Sequence, residues 1–134
     1  MAEPSQSSLL RSEVIELLLV AAGAVPGALL RWQVALHLGD QNLLVNSVGA
    51  GLLGLLAALP AAPRRQLLLG IGFCGSFTTF SSWMLTVARD LAAGNWGEAI
   101  GLLGLTLGLG LGCASLGFGL GRWLKPPEQP RSEP

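Results

Sequence analysis

Charge is scarce in this 134-residue chain: eight basic and eight acidic residues, with a formal net charge of zero. Tyrosine is absent, and there are only one histidine and two cysteines. Each shortage excludes something. A soluble domain of this size exposes a large share of its surface and must cover it with polar groups. A chain that is 12% charged does not have them. No basic cluster is present to neutralise phosphates, so no nucleic-acid partner is expected. Cys74 and Cys113 each lie inside an apolar stretch, as small buried packing residues rather than a disulfide or metal pair. Paired acids, a Ser/His/Asp set and metal-ligand spacing are all missing, so no enzyme is expected. His37, near the end of the first apolar segment, reads as an interfacial residue without a role.

What is present is apolar. Half of the chain is hydrophobic (51%), 19 residues are glycine, and the mean hydropathy is +0.57. The solvent that accepts such a surface is the bilayer, which a helix crosses with about 20 apolar residues. Leu43 to Ala62, Gln66 to Ala88 and Ala99 to Gly121 carry no charge. A first segment, from about Val14 to Leu38, has Glu16 near its start and Arg31 well inside. Small residues at Val20 to Ala24 would suit signal-peptide cleavage. The apolar pattern runs on past Arg31, however, and favours a retained helix. The fold class expected is therefore all-α and integral to the membrane. Four transmembrane helices are placed at about 14–38, 43–62, 66–89 and 98–123, within a domain of residues 13–124. Residues 1–12 and the proline-rich tail 125–134 are expected to be disordered.

Positive residues near helix ends favour the cytoplasmic side. With four helices, the N-terminus, the second connection and the C-terminus share one side, which holds Arg11, Arg64, Arg65, Arg122, Lys125 and Arg131. The other side holds Arg89 beside Asp40, Asp90 and Glu98. Arg31 lies within a helix and is not counted. Six against one predicts one fixed topology, both termini cytoplasmic, in the plasma membrane (the inner membrane of a Gram-negative cell).

Two further patterns concern packing and polarity. Gly104, Gly108 and Gly112 share one helix face, and Gly117 and Gly121 a second. Small residues at that spacing let helices approach closely, either within a bundle or between chains. The few polar groups in the spans are costly there and so are functional candidates. Asn46, in Leu44-Val45-Asn46-Ser47-Val48-Gly49, offers amide donors. The strongest cluster is Gly70-Ile71-Gly72-Phe73-Cys74-Gly75-Ser76-Phe77-Thr78-Thr79-Phe80-Ser81-Ser82, in the middle of helix three. Such a run is a poor helix, and a break is expected within it. Unwound backbone at that depth must be buried in protein or line a cavity. Its freed carbonyls suit a cation. Its hydroxyls and phenylalanine edges suit an anion. The blander reading is a kinked helix whose Ser and Thr bond back to their own carbonyls. Arg31 reads equally as a snorkelling interfacial side chain or as a fixed charge in the vestibule of an anion path.

These residues resemble the Fluc (CrcB) family of fluoride channels. The third-helix signature of that family stands here as Gly72-Phe73-Cys74-Gly75-Ser76-Phe77-Thr78-Thr79-Phe80-Ser81-Ser82-Trp83. Gly27-Ala28-Leu29-Leu30-Arg31-Trp32 and Asn46-Ser47-Val48-Gly49 match two further motifs, in order, so that the likeness runs from about Gly23 to Trp123. The resemblance implies an antiparallel dimer of four-helix subunits that passes fluoride passively. It implies a structural sodium ion at the dimer centre, held by backbone carbonyls of Gly75 and Thr78. It places Asn46, Phe80, Trp83, Thr79 and Ser81 along the fluoride path, with membrane lipid around the pair. Trp83 stands where the family has its second phenylalanine. Thr86 stands where a glutamate is frequent, and Met84 where a serine is common. Thr106 and Ser115 of helix four are not assigned a place on the polar track. The topology bias adds a paralogous partner of opposite orientation. Two other classes remain: a small multidrug-type exporter, whose helix-one carboxylate would have to be Glu16, and a non-transporting membrane assembly subunit.

Overall fold

A computed structural model describes residues 6–39 and 42–124, all in helices and short turns. Helix α1 spans Gln6–Leu38 and α2 spans Asn42–Ala58. The third passage opens with a helical turn at Pro63–Arg65, widens into a π-helix over Gln66–Cys74, and tightens again at Gly75–Phe77. These pieces together are α3, residues 63–77. Helix α4 follows at Ser81–Ala92 and α5 at Trp96–Leu124. Three of the passages are long and apolar enough to cross a membrane, and α2 is a shorter apolar helix. This is the architecture of a multi-pass membrane protein.

Several boundaries differ from expectation, and the third passage runs from Pro63 to Ala92 rather than over 66–89. Helix α1 begins at Gln6, inside the segment 1–12 expected to be disordered. Leu9 and Leu10 carry its apolar character toward the N-terminus, and Ser12 Oγ donates to the Leu9 carbonyl at 2.8 Å. Helix α2 stops at Ala58 rather than near Ala62, because the residue ahead of a proline is pushed away from helical geometry and Pro60 and Pro63 follow closely. Helix α5 begins at Trp96, directly after a turn in which Gly94 takes φ 82°. The rest of the expected disorder, residues 1–5 and 125–134, and two residues of the first connection, Asp40 and Gln41, lie outside the described residues.

Little is buried in the subunit: Val45, Cys74, Phe77, Trp83, Val87 and Ala99 are its enclosed apolar residues, and long rows of leucine face outward. Close backbone approach does the packing instead. Helix α1 runs along the π-helical stretch, and α2 runs along α5. At Gly23 and Gly27 an added Cβ would meet the carbonyls of Leu68 and Phe73, and at Gly72 that of Val20. At Gly54 and Gly117 it would meet the carbonyls of Ala114 and Gly51. The two glycine faces of α5 therefore separate. Gly117 and Gly121 seat α2 within the subunit. An added Cβ at Gly104, Gly108 or Gly112 meets nothing within 4 Å. Gly117→Ala is expected to cost about 1–3 kcal/mol through overpacking against backbone, read as a lower melting temperature in detergent. Gly104→Ala is expected to leave the melting of the single chain unchanged.

Candidate functional site

The helix ends at Phe77, with the Thr78 N–H still closing on the Cys74 carbonyl at 3.0 Å, and a new one opens at Ser81, with the Phe80 carbonyl already accepting the Met84 N–H at 3.1 Å; Thr78 is extended between them at φ −75°, ψ 161°. The extended residue turns the backbone out of the helix, so the Thr78 carbonyl and both backbone groups of Thr79 need other partners. Asn46 supplies two of them. Its Nδ2 donates to the Thr79 carbonyl at 2.8 Å, and its Oδ1 accepts the Thr79 N–H at 2.8 Å. One side chain on α2 thus clamps one residue of the third passage from both sides. The second Nδ2 hydrogen remains for another acceptor. Arg31, half-buried on α1, donates from Nη1 to the Thr78 carbonyl at 3.2 Å. It neither snorkels free nor stands apart from the cluster.

The clamp has a consequence for the carbonyls. In a continuous helix the Thr79 N–H would close on the carbonyl of Gly75. Here it goes to Asn46, and the Gly75 carbonyl loses that donor. The Ser82 N–H, which would close on Thr78, reaches the Thr79 hydroxyl at 3.4 Å. The two carbonyls expected to hold sodium are thus released from the helix, though Thr78 is engaged by Arg31. Unwound carbonyls of this kind suit sodium, and Gly75 is exposed on the subunit surface. Two oxygens from one chain are too few to enclose a cation, so a second chain would have to complete the set. Among the described residues, no cluster of His, Cys, Asp or Glu offers a different metal site.

The remaining side chains divide. Ser76 Oγ donates back to the carbonyls of Gly72 and Phe73, and Thr78 Oγ1 to that of Cys74. These hydroxyls follow the blander of the two sequence readings. The Thr79 hydroxyl turns to Ser82 Oγ at 3.2 Å. Ser81 is exposed at the start of α4. Phe80 is 71% exposed, the largest exposure of any phenylalanine here. Phe73 and Phe77 stack on each other at 5.8 Å. Trp83 meets Phe80 edge to face at 5.5 Å and 84°, but is only 7% exposed and packs with Val87 and Ala99. Phe80 offers its ring outward, while Trp83 is a core residue of the subunit.

Thr106 was left without a place by the sequence. It is 8% exposed, and its hydroxyl has no hydrogen-bond partner. It lines a cavity of about 140 Å³ with Asn42, Leu43, Trp83, Thr86 and Leu102. A lone threonine in a helix of leucine and glycine was the available signal. Ser115, by contrast, bonds back to the Leu111 carbonyl at 2.8 Å.

Comparison with known proteins adds to this geometry. The family described as "CrcB-like protein, Camphor Resistance (CrcB)" matches residues 18–118. The chain is 75% identical over 129 residues to the "Fluoride-specific ion channel FluC 2" of Parasynechococcus marenigrum (strain WH8102), covering 96% of this chain and 98% of that one. It is 72% identical over 129 residues to the protein of the same name from Synechococcus sp. (strain CC9605), with the same coverage. It is also 37% identical over 119 residues to "Fluoride-specific ion channel FluC 1" of Parasynechococcus marenigrum (strain WH8102), covering 81% of this chain and 94% of that one. One strain therefore carries two relatives, each similar to this chain.

Proposed function

This chain belongs to the CrcB-like family of fluoride-specific ion channels, and on that premise we propose that it is one subunit of a two-chain channel that lets fluoride leave the cell passively. The observation that carries the reading is the non-helical segment 78–80, held by Asn46 and Arg31 with Phe80 turned outward. The family is one of channels, not enzymes, and the multidrug-type and assembly-subunit readings give way to it.

The chemistry follows from the ion. Fluoride is small and strongly hydrated, and a pore must replace its water with donors at close range. The spare amide hydrogen of Asn46, the hydroxyl of Ser81 and the positive edge of Phe80 are such donors. Thr79 contributes chiefly by being clamped, and Trp83 by supporting Phe80. Hydrogen fluoride enters cells from acidic surroundings and ionises inside, so an anion leak exports it. A sodium ion bound by the Gly75 and Thr78 carbonyls of both chains would supply positive charge at the centre of the pair. Arg31 adds a fixed positive charge beside the break, through its contact with the Thr78 carbonyl.

The pair is antiparallel, in the plasma membrane, and built with a paralogue of opposite orientation. Six basic residues at one set of helix ends against one at the other support a single insertion. The two relatives in one strain support the paralogue. Of the six, Lys125 and Arg131 lie outside the described residues. Reporters active only inside or only outside the cell, fused to the C-terminus, are expected to give signal inside alone. Comparable signal from both would show dual insertion and remove the need for a paralogue. The function itself is tested by fluoride efflux from proteoliposomes, with chloride as control. The paired complex is expected to pass fluoride and not chloride. Absence of fluoride flux from both the single chain and the pair would overturn the reading.

A further inference from the structure

Two positive charges are directed at one oxygen. The Thr78 carbonyl accepts a hydrogen bond from Arg31 Nη1 at 3.2 Å, and the proposed function assigns the same carbonyl to sodium. A guanidinium does not lose its charge inside a protein. Among the described residues no ion pair involves Arg31. The contact is not an accident of a loose side chain. Arg31 is half-buried, reaches across from α1, and meets a residue whose extended backbone and displaced i+4 donor expose its carbonyl. A carbonyl oxygen has two lone pairs and can accept twice. Two cations sharing one oxygen nevertheless repel, and strongly in a membrane interior where the dielectric is low.

We propose that Arg31 is a tethered cation that competes with sodium for the Thr78 carbonyl, so that this chain's share of the sodium site is weakened by its own guanidinium. The inference rests on the sodium reading above, and it deepens that reading by naming what opposes the ion. In the single subunit the guanidinium holds the extended residue in place. When sodium seats at the centre of the pair, the guanidinium must give way or tolerate a like charge across one oxygen. Arg31 is a positioning residue in this scheme.

The test uses the purified two-chain complex in detergent. Its melting temperature is measured as sodium replaces a large organic cation at constant ionic strength. Arg31→Gln keeps an N–H donor and removes the charge. Arg31→Lys keeps the charge on an unforked side chain. Arg31→Met takes the place of the glutamine variant if gel filtration shows that the latter does not assemble. The expected result is a sodium half-saturation at least tenfold lower in Arg31→Gln than in the wild type, with Arg31→Lys close to the wild type. Equal half-saturation in all three would overturn the competition while leaving the sodium site standing. A higher half-saturation in Arg31→Gln would overturn it as well, by showing that Arg31 builds the site. No sodium dependence in any form would remove the sodium reading and this inference together.

Discussion

Replacing Asn46 by leucine is expected to abolish fluoride flux and to lower the melting temperature of the protein by several degrees. The substitution nearly conserves volume, so the effect is not one of packing. It removes both hydrogen bonds of the clamp on Thr79. Thr79 is 7% exposed, and burial inside the subunit keeps water from replacing the lost partners. A buried N–H or C=O left without a partner costs about 1–3 kcal/mol, and here there is one of each. The segment can recover these bonds only by closing the helix again. The Gly75 carbonyl would then regain its donor, and Phe80 would be re-aimed. Loss of flux should therefore accompany loss of stability, in contrast to a pore donor that could be removed without structural consequence. Efflux from proteoliposomes and thermal unfolding in detergent measure the two. A variant that conducts normally would remove Asn46 from both roles.

Phe80→Leu and Trp83→Ala should separate conduction from packing. Phe80 is 71% exposed in the subunit. Its replacement should cut fluoride flux at least tenfold while moving the chain's stability by no more than about 0.5 kcal/mol, as for other exposed positions. Trp83 lies against Val87 and Ala99, at 7% exposure. Its truncation leaves a cavity, and an effect of about 3–5 kcal/mol on stability is expected. Phe80 would lose its edge-to-face neighbour in that variant, so flux falls there too, as a consequence of unfolding or misplacement. A stable, conducting Trp83→Ala together with an unstable Phe80→Leu would exchange the two roles.

The long passages were legible because the bilayer asks only for length and low polarity, which Gln66 onward and Ala99 onward satisfy without a charge, while the uncharged run from Leu43 to Ala62 was read longer than the helix that forms there. What was not legible depends on partners distant in the chain. The amide of Asn46 was read as a donor, but that both its ends are taken up by Thr79, 33 residues on, required the packing of α2 against the third passage. Arg31 was left between two readings, since no local pattern names a carbonyl 47 positions away. The π-helical turns over Gln66–Cys74 left no compositional trace, because Leu and Gly suit a wide turn and a narrow one alike. Glycine spacing marked two faces on α5 without distinguishing which meets α2. Trp83 occupies a motif position whose burial is set by α5, outside the motif.

Helix α2 is the shortest of the passages, with 17 residues, and at ~1.5 Å of rise per residue it measures only about 25 Å. A hydrocarbon layer of ~30 Å does not match it. Lipids beside α2 must thin, or their headgroups and water must dip toward it. Asn46 lies one helical turn from the end of that helix, at Asn42. A thinned surface would therefore come closer to the amide. In the proposed channel the slab that an anion would cross is expected to be narrower than in the membrane around it, and thick, sterol-rich bilayers are expected to hold the channel less comfortably than thin ones.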